Sequence, residues 1–225
     1  MISHPHRCLS VHIPKTGGNS INRVFGINWQ DHKDLARYRE ELGAERFGEY
    51  FKFAVVRNPW DRLLSDYNYQ VRKSRPGSAR LLVHDASGRR RGFAEWVRHA
   101  LGSGVVSRPR DWGAEVSPGI HRFSPQVDWL TVDGRIGVDH VARLETIDAD
   151  LALVFRRVGL SAGRLPRRNR RFHLHYAWYY DEPTRALVAR YYADDAAAFG
   201  YRFEPGLLRA WWLRWRSRHA SAEAA

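Results

Sequence analysis

The stretch VHIPKTGGNSINRVFG, Val11 to Gly26, joins an apolar run to a helix-like run through a lysine and two glycines. Just upstream, Leu9, Val11 and Ile13 alternate with Ser10 and His12, which predicts a strand over Cys8–Ile13. Ser20 to Phe25 then opens a helix. A turn of this composition between strand and helix is suited to an anion. Glycine lets the backbone approach closely, and the first helical turn offers unpaired N–H groups and a partial positive charge. Lys15 adds a full charge and Ser20 a hydroxyl. The order differs from the common nucleotide loop, where Lys and Ser/Thr follow the last glycine. Here Lys15-Thr16 precede Gly17-Gly18, so a kinase or NTPase reading loses its main support.

A second stretch, FAVVRNPWDRLLSDYNY from Phe53 to Tyr69, has the same logic. Phe53-Ala54-Val55-Val56 is apolar on both faces, the pattern of a buried parallel strand over Lys52–Arg57. Asn58-Pro59 breaks it, and a helix follows from Trp60 to about Val71. Arg57 stands at the strand end, where α/β folds place ligands. Ser65 falls off the Leu63, Leu64, Tyr67 stripe and is available to a ligand. Arg offers a forked donor set for phosphate, and Ser one short donor. The competing reading for Arg57 is a strand-end ion pair with Asp61, and for Ser65 a surface hydroxyl.

Further helices are expected over Asp31–Leu42, capped by Asp31, over Phe93–Leu101, over Asp148–Gly159 and as one run over Pro183–Phe199. A further strand is expected over Val138–Leu144. Alternating strands and helices with buried parallel-type strands imply an α/β fold. The chain has 225 residues, 44% hydrophobic, enough for one domain with a tail. The domain is expected over 1–205, with 72–92 as a mobile basic insertion. Residues 206–225 form an amphipathic, basic, tryptophan-rich tail. Packing on the domain or on a second copy ranks ahead of membrane contact for that tail. The net charge of +13 favours an anionic partner, or reflects only a solvated arginine-rich surface. The single cysteine, Cys8, lies in an apolar run and reads as a buried thiol. With no apolar run of membrane-spanning length and no leader pattern, a cytoplasmic protein is expected.

The two loops together resemble those of sulfotransferases that use 3′-phosphoadenosine 5′-phosphosulfate (PAPS), in particular the carbohydrate (glycan O-) sulfotransferase branch and its bacterial relatives. The resemblance runs on through SPQVDWL, VARLETIDADL, LPRRN and YYADDAAAFGY and covers most of Cys8–Phe203. It implies a three-layer fold like that of P-loop NTPases, with a central parallel sheet of about five strands. It implies that Lys15, Thr16, Gly17, Gly18, Asn19 and Ser20 hold the 5′ end of the donor. Arg57 and Ser65 would then hold its 3′-phosphate. Asn19 departs from the threonine more usual in the family. Lys15 would neutralise charge on the leaving phosphate, and no metal is called for. The acceptor implied is a hydroxyl on a glycan or glycolipid, with the basic segment and Trp178–Tyr180 as candidate contacts.

A general base is required, and the chain has 11 histidines. His32, placed by its sequence in the first helical turn after the donor loop, is the first choice, since the resemblance puts a catalytic histidine there. An imidazole titrates near neutrality, and a positive helix end favours its neutral form. The competing reading is a helix-capping residue. His12 reads as packing beside the site, His121 as a weaker rival, His173 and His175 as loop residues, and His4 and His6 as disordered surface. Glu145 is expected in an arginine ion pair, with Arg143 or Arg57. Arg168 and Asn169 are equally readable as nucleotide contacts or as a solvated loop. The alternative functions are a nucleotide kinase or NTPase, which lacks its motif. A basic nucleic-acid module is the other, and charge alone supports it.

Overall fold

Phe53 to Val56 send alternate side chains into two separate cores, and that places them in the middle of the molecule. The computed structural model describes residues 1–26, 32–74, 83–102, 116–160 and 174–206. Strand β3 (Phe51–Val56) lies between β2 (Cys8–Val11) and β6 (His140–Arg143), parallel to both. A short β1 (Ile2–Ser3) pairs antiparallel with β2 at the edge, giving the order β1-β2-β3-β6. Among the described residues the main sheet therefore has four strands, three of them parallel, against the five or so parallel strands expected. The antiparallel partner arises locally, because the chain turns back through His4–Arg7 and lays β1 against Cys8–Leu9. A separate hairpin, β4 (Thr131–Val132) and β5 (Arg135–Ile136), is closed by Asp133-Gly134. Both turn residues have positive φ, 53° and 76°, the geometry that an Asp-Gly pair favours.

Helices cover both faces of the sheet. On one, Cys8, Phe53, Val55 and Ala142 meet Ile21 of α1 (Gly18–Val24) and Leu151, Val154 and Phe155 of α7 (Ile147–Arg157). The other face packs Leu9, Val11, Ile13, Ala54 and Val56 against α2 (Leu35–Leu42), α6 (Gln126–Leu130) and α9 (Ala193–Phe199). A short α3 (Ala44–Glu49) links α2 to β3. A third core joins α4 (Pro59–Lys73), α5 (Phe93–Gly102) and α8 (Glu182–Tyr191) through Trp60, Leu64, Trp96 and Tyr180. Pro59 stands at the first turn of α4, where its missing N–H costs nothing, and Asn58 caps that helix by accepting from Trp60 N at 3.1 Å.

Several expectations are corrected by this arrangement. The cap of α2 is Asp34, not Asp31, which lies outside the described residues. Asp34 accepts from Ala36 N and Arg37 N, so the helix begins at Leu35 and His32 lies before it, not in its first turn. The run expected as one helix over Pro183–Phe199 is broken at Tyr192, whose φ of −109° and ψ of 33° end α8 and start α9. Of the expected insertion, Arg72 and Lys73 belong to α4. Val83 is fully buried, and His84 pairs with Arg90 across a turn that Asp85 holds by accepting from Ser87 N and Arg89 N. His4 and His6 are engaged, not disordered: His4 Nδ1 lies 2.7 Å from Tyr50 Oη and His6 Nδ1 3.3 Å from Val158 O. Cys8 is buried as expected, and burial pushes its thiol up to about 11. Among the described residues no helix is long and apolar enough to cross a membrane. The tail segment 207–225 lies outside the described residues.

Asp34 also accepts from Ser117 N at 2.6 Å and Ser117 Oγ at 3.0 Å, so it ties α2 to the chain before α6. It is almost wholly buried, and its removal would strand several donors at once. Asp34→Ala is expected to lower stability by about 2–3 kcal/mol in urea unfolding, and Asp34→Asn, which keeps one cap oxygen, by about 1 kcal/mol.

Candidate active site

The carboxyl ends of β2, β3 and β6 open onto one edge, and the loops that leave them meet there. After β2 the chain passes through His12-Ile13-Pro14 and turns sharply. Lys15 has a φ of 73° and Gly17 a φ of 88°. A left-handed lysine is strained, and such strain persists only where the surroundings enforce it. Thr16 is part of that enforcement: its buried hydroxyl donates to Ile13 O at 3.0 Å. Its side chain thus braces the loop from within, and what it can offer a ligand is its main-chain N–H. Gly17 caps α1, and Gly18, Asn19 and Ser20 form the helix's first turn.

Gly18 is required by His12. A Cβ at Gly18 would lie 2.0 Å from His12 Cδ2, so the imidazole rests directly on the glycine. The His12 ring is buried and lies against that of His32, with centroids 4.3 Å apart and the planes tilted by 35°. Burial above all holds His12 far below the usual imidazole range, and the charges of His32, the N-terminal amine and Lys15 add to it. His12 is therefore neutral, and it is packing beside the loop, as expected. His32 Nδ1 lies 2.9 Å from His12 O. A carbonyl can only accept, so Nδ1 carries the proton, and in the neutral ring Nε2 carries the lone pair. His32 is thus fixed in the tautomer that a base would need, through a backbone bond and not through a helix terminus.

At the end of β3, Arg57 is held twice. Its N–H donates to Gln126 Oε1 at 2.9 Å, and its carbonyl accepts from Gln126 Nε2 at 2.8 Å. Its guanidinium donates from Nε to Asp61 Oδ2 at 2.8 Å and from Nη1 to Lys15 O at 3.2 Å, with Nη2 also 2.8 Å from Asp61. The ion pair with Asp61, one of the two readings of the sequence, is present. It uses three of the N–H groups together with the Lys15 bond, and a guanidinium has about five. Ser65, half-buried, stands one turn beyond Asp61 on α4, and Tyr69 one turn beyond Ser65. These spacings put Asp61, Ser65 and Tyr69 on one stripe.

The Lys15 ammonium lies 4.1 Å from the centre of the Tyr69 ring. Burial lowers it to about 8, with Arg122, Arg57 and Arg72 adding to the effect and Asp66 opposing it. Asp66 is itself buried and is gripped by Arg122, whose Nε lies 2.6 Å from Oδ2 and whose Nη2 bonds Oδ1; Gln70 donates to Oδ2 at 3.1 Å. Burial alone would raise the Asp66 carboxyl, but Arg122 and Lys15 outweigh it and hold it below the usual range. Sequence reasoning missed Asp66, Tyr69 and Arg122. A signal existed for Tyr69, since it repeats the Asp61–Ser65 spacing. Arg122 comes from a turn whose position is set only by tertiary contacts.

The remaining candidates are structural. Glu145 accepts from Asn58 N at 2.7 Å and from Tyr201 Oη at 3.0 Å, so its partners are a backbone amide and a phenol in place of the expected arginine. His121 Nδ1 accepts from Phe123 N at 3.2 Å, and His175 Nδ1 from Ala177 N at 3.4 Å, both closing turns. Tyr180 is buried and donates to Trp60 O at 2.9 Å, while Trp178 is on the surface. Arg168, Asn169 and His173 lie outside the described residues. Among the described residues no group of three or more His, Cys, Asp and Glu side chains could hold a metal ion.

The chain belongs to the sulfotransferase family: the model of that family matches residues 1–202, which include both loops and everything that positions them. Comparison with curated proteins and with solved structures gave no match.

The contact of Gly18 with His12 yields a test. Gly18→Ala forces the buried ring to move and is expected to cost about 1–3 kcal/mol or more. Gly48→Ala, in α3 with nothing within 4 Å of the added Cβ, is expected to be neutral or to stabilise by up to about 1 kcal/mol. Urea unfolding of the two variants side by side measures the difference.

Proposed function

We propose that the protein transfers a sulfuryl group from 3′-phosphoadenosine 5′-phosphosulfate to an acceptor hydroxyl, on a glycan or glycolipid. The observation that carries this reading is the meeting of the two motif loops. Arg57 Nη1 donates to the carbonyl of Lys15, so the two candidate anion-binding groups sit at one sheet edge. Family membership supplies the reaction class. The loop fits a phosphate group: Gly17 exposes backbone at the start of α1, and Lys15 stands at the turn with its charge partly desolvated. In this respect the loop is a relative of the P-loop with its lysine placed ahead of the glycines. The donor supplies an activated sulfuryl group on a phosphate leaving group.

Lys15 and the amides of Gly17–Ser20 hold the 5′ phosphate, and Lys15 neutralises charge that develops on the oxygen that leaves. Partial desolvation strengthens that interaction, because fewer water dipoles compete for the ammonium. Arg57, through its remaining N–H groups, and Ser65 hold the 3′-phosphate. His32 takes the acceptor proton at Nε2, the nitrogen that its bond to His12 O leaves basic. In this reaction positioning and charge stabilisation do most of what the protein contributes. The basic surface of the chain suits an anionic acceptor or donor.

Calorimetric titration with 3′-phosphoadenosine 5′-phosphate, beside adenosine 5′-phosphate and without metal, tests the donor assignment. Wild type is expected to prefer the 3′-phosphorylated nucleotide, and Arg57→Ala to lose about ten- to a hundredfold of that preference. Equal affinity of wild type for the two nucleotides would sink the assignment.

The lowered Lys15 gives a pH dependence with a definite sign. A bound polyanion favours the ammonium and raises its pKa above the free value of about 8. Below pH 8 the free ammonium is already protonated, and binding takes up no proton there. Above pH 8 binding must take up a proton, so affinity falls as pH rises, by up to about tenfold per unit. Titration in buffers of different ionisation enthalpy counts that proton directly. For the base, His32→Gln is expected to lower turnover by about 10²–10⁴ while nucleotide affinity is retained.

A further inference from the structure

Lys15 stands within the electrostatic reach of a buried carboxylate, Asp66, yet its ammonium lies on an aromatic ring. The reason is that Asp66 is already occupied. Arg122 donates to both of its oxygens and Gln70 to one of them. The Tyr69 ring in turn lies beside three cations: Lys15 Nζ at 4.1 Å, the Arg122 guanidinium at 5.2 Å and that of Arg72 at 5.5 Å from its centre. Arg57 completes the set at the loop's other side, through its bond to the Lys15 carbonyl.

A ring and a carboxylate hold an ammonium in different ways. A carboxylate neutralises it and takes its N–H groups, so an incoming phosphate must first break the pair. An aromatic face attracts the cation through its quadrupole, leaves the unit charge uncancelled and leaves N–H groups pointing away from the ring. For a group that must meet a polyanion, the second arrangement is ready and the first is not. The backbone agrees with this role, since the left-handed φ of Lys15 sets the direction in which its side chain leaves the turn.

We propose that Tyr69 is a positioning residue for the transfer: its ring face seats and stabilises the Lys15 ammonium at the donor loop, while Arg122 and Gln70 keep Asp66 occupied. The inference rests on the role given to Lys15 above, and it gives a part to a residue to which the sequence reading assigned none. The ring, not the phenol hydroxyl, carries the effect.

The test reads Lys15 in the protein without nucleotide, so it stands apart from the identity of the donor. The rate of acylation of Lys15 by an amine reagent is followed against pH by peptide mass spectrometry. The midpoint is expected near pH 8 in wild type and in Tyr69→Phe. In Tyr69→Leu, which keeps the burial and removes the ring quadrupole, it is expected to fall by about one pH unit. Incorporation of fluorinated phenylalanines at position 69 keeps the ring's shape and drains its face, and the midpoint should fall further with each fluorine. Thermal melting confirms that each variant is folded, and the fluorinated series serves if Tyr69→Leu is not. An unchanged midpoint across the series overturns the proposal, as does a raised one, which would mean that Asp66 seats the ammonium. In parallel, affinity for 3′-phosphoadenosine 5′-phosphate should fall about three- to thirtyfold in Tyr69→Leu and return in Tyr69→Phe. If wild type does not bind that nucleotide, the donor assignment fails while the acylation series still decides the role of Tyr69.

Discussion

The side-chain amide of Gln126 stands beside Arg57 as a neighbouring strand would. It accepts from the Arg57 N–H and donates to the Arg57 carbonyl, and its second N–H goes to Asp195 Oδ2 at 3.0 Å. Gln126 is completely buried, so no water can replace these bonds, and only one orientation of the amide satisfies them all. Asp195 also accepts from Val127 N, which caps α6 from the side of α9. The end of β3 is thereby fixed against two helices that lie far along the chain. Because Arg57 sets the position of Asp61 and of the Lys15 carbonyl, both loops of the site inherit their geometry from this one amide.

The charges near the site follow a consistent pattern. Each of these carboxylates is answered before Lys15 can reach it: half-buried Asp61 by Arg57, buried Asp66 by Arg122, and buried Asp195 by Gln126 and Val127 N with Arg62 4.0 Å away. Breaking one of these buried pairs would leave an uncompensated charge, which costs far more than the pair gains. The result is an excess of positive charge that is spread over one ring and one turn, with its counter-charges already committed. An anion entering here meets a surplus of cations, with Arg57 and Arg122 held in ion pairs and Lys15 on the ring.

What the sequence showed clearly was local. The alternation of Leu9, Val11 and Ile13, the apolar run Phe53–Val56 and the breaker Asn58-Pro59 each act within a few residues, and β2, β3 and α4 appear where they predict. Asp-Gly at 133–134 is an equally local signal, and it closes the β4–β5 hairpin. Tertiary packing decided the rest. Nothing near Asp31 distinguishes it from Asp34 as a cap until Ser117 arrives to share the same carboxylate. Nothing in Pro183–Phe199 requires the break at Tyr192. That break lets Asp195 face Gln126 while the Tyr192 hydroxyl donates to Phe123 O at 2.8 Å. At the site, Lys15, Arg57, Gly17 and Gly18 were legible because their chemistry is written in adjacent residues. Arg122 and Asp66 are 56 positions apart, and their pairing is visible only when the chain is folded.

The same long-range ties bear on how the protein comes off the ribosome. The Lys15–Ser20 loop and α4 are synthesised early, but the groups that hold Arg57 and Asn58 come later. Gln126 and Glu145 are midway, and Asp195 and the Arg202 carbonyl, which accepts from Asn58 Nδ2 at 3.0 Å, are near the end. At about 5–20 residues per second, that delay is roughly seven to thirty seconds. During it Arg57 and Asn58 lack these partners. The last of the ties that hold the end of β3 can therefore close only once residues 195–202 have been made.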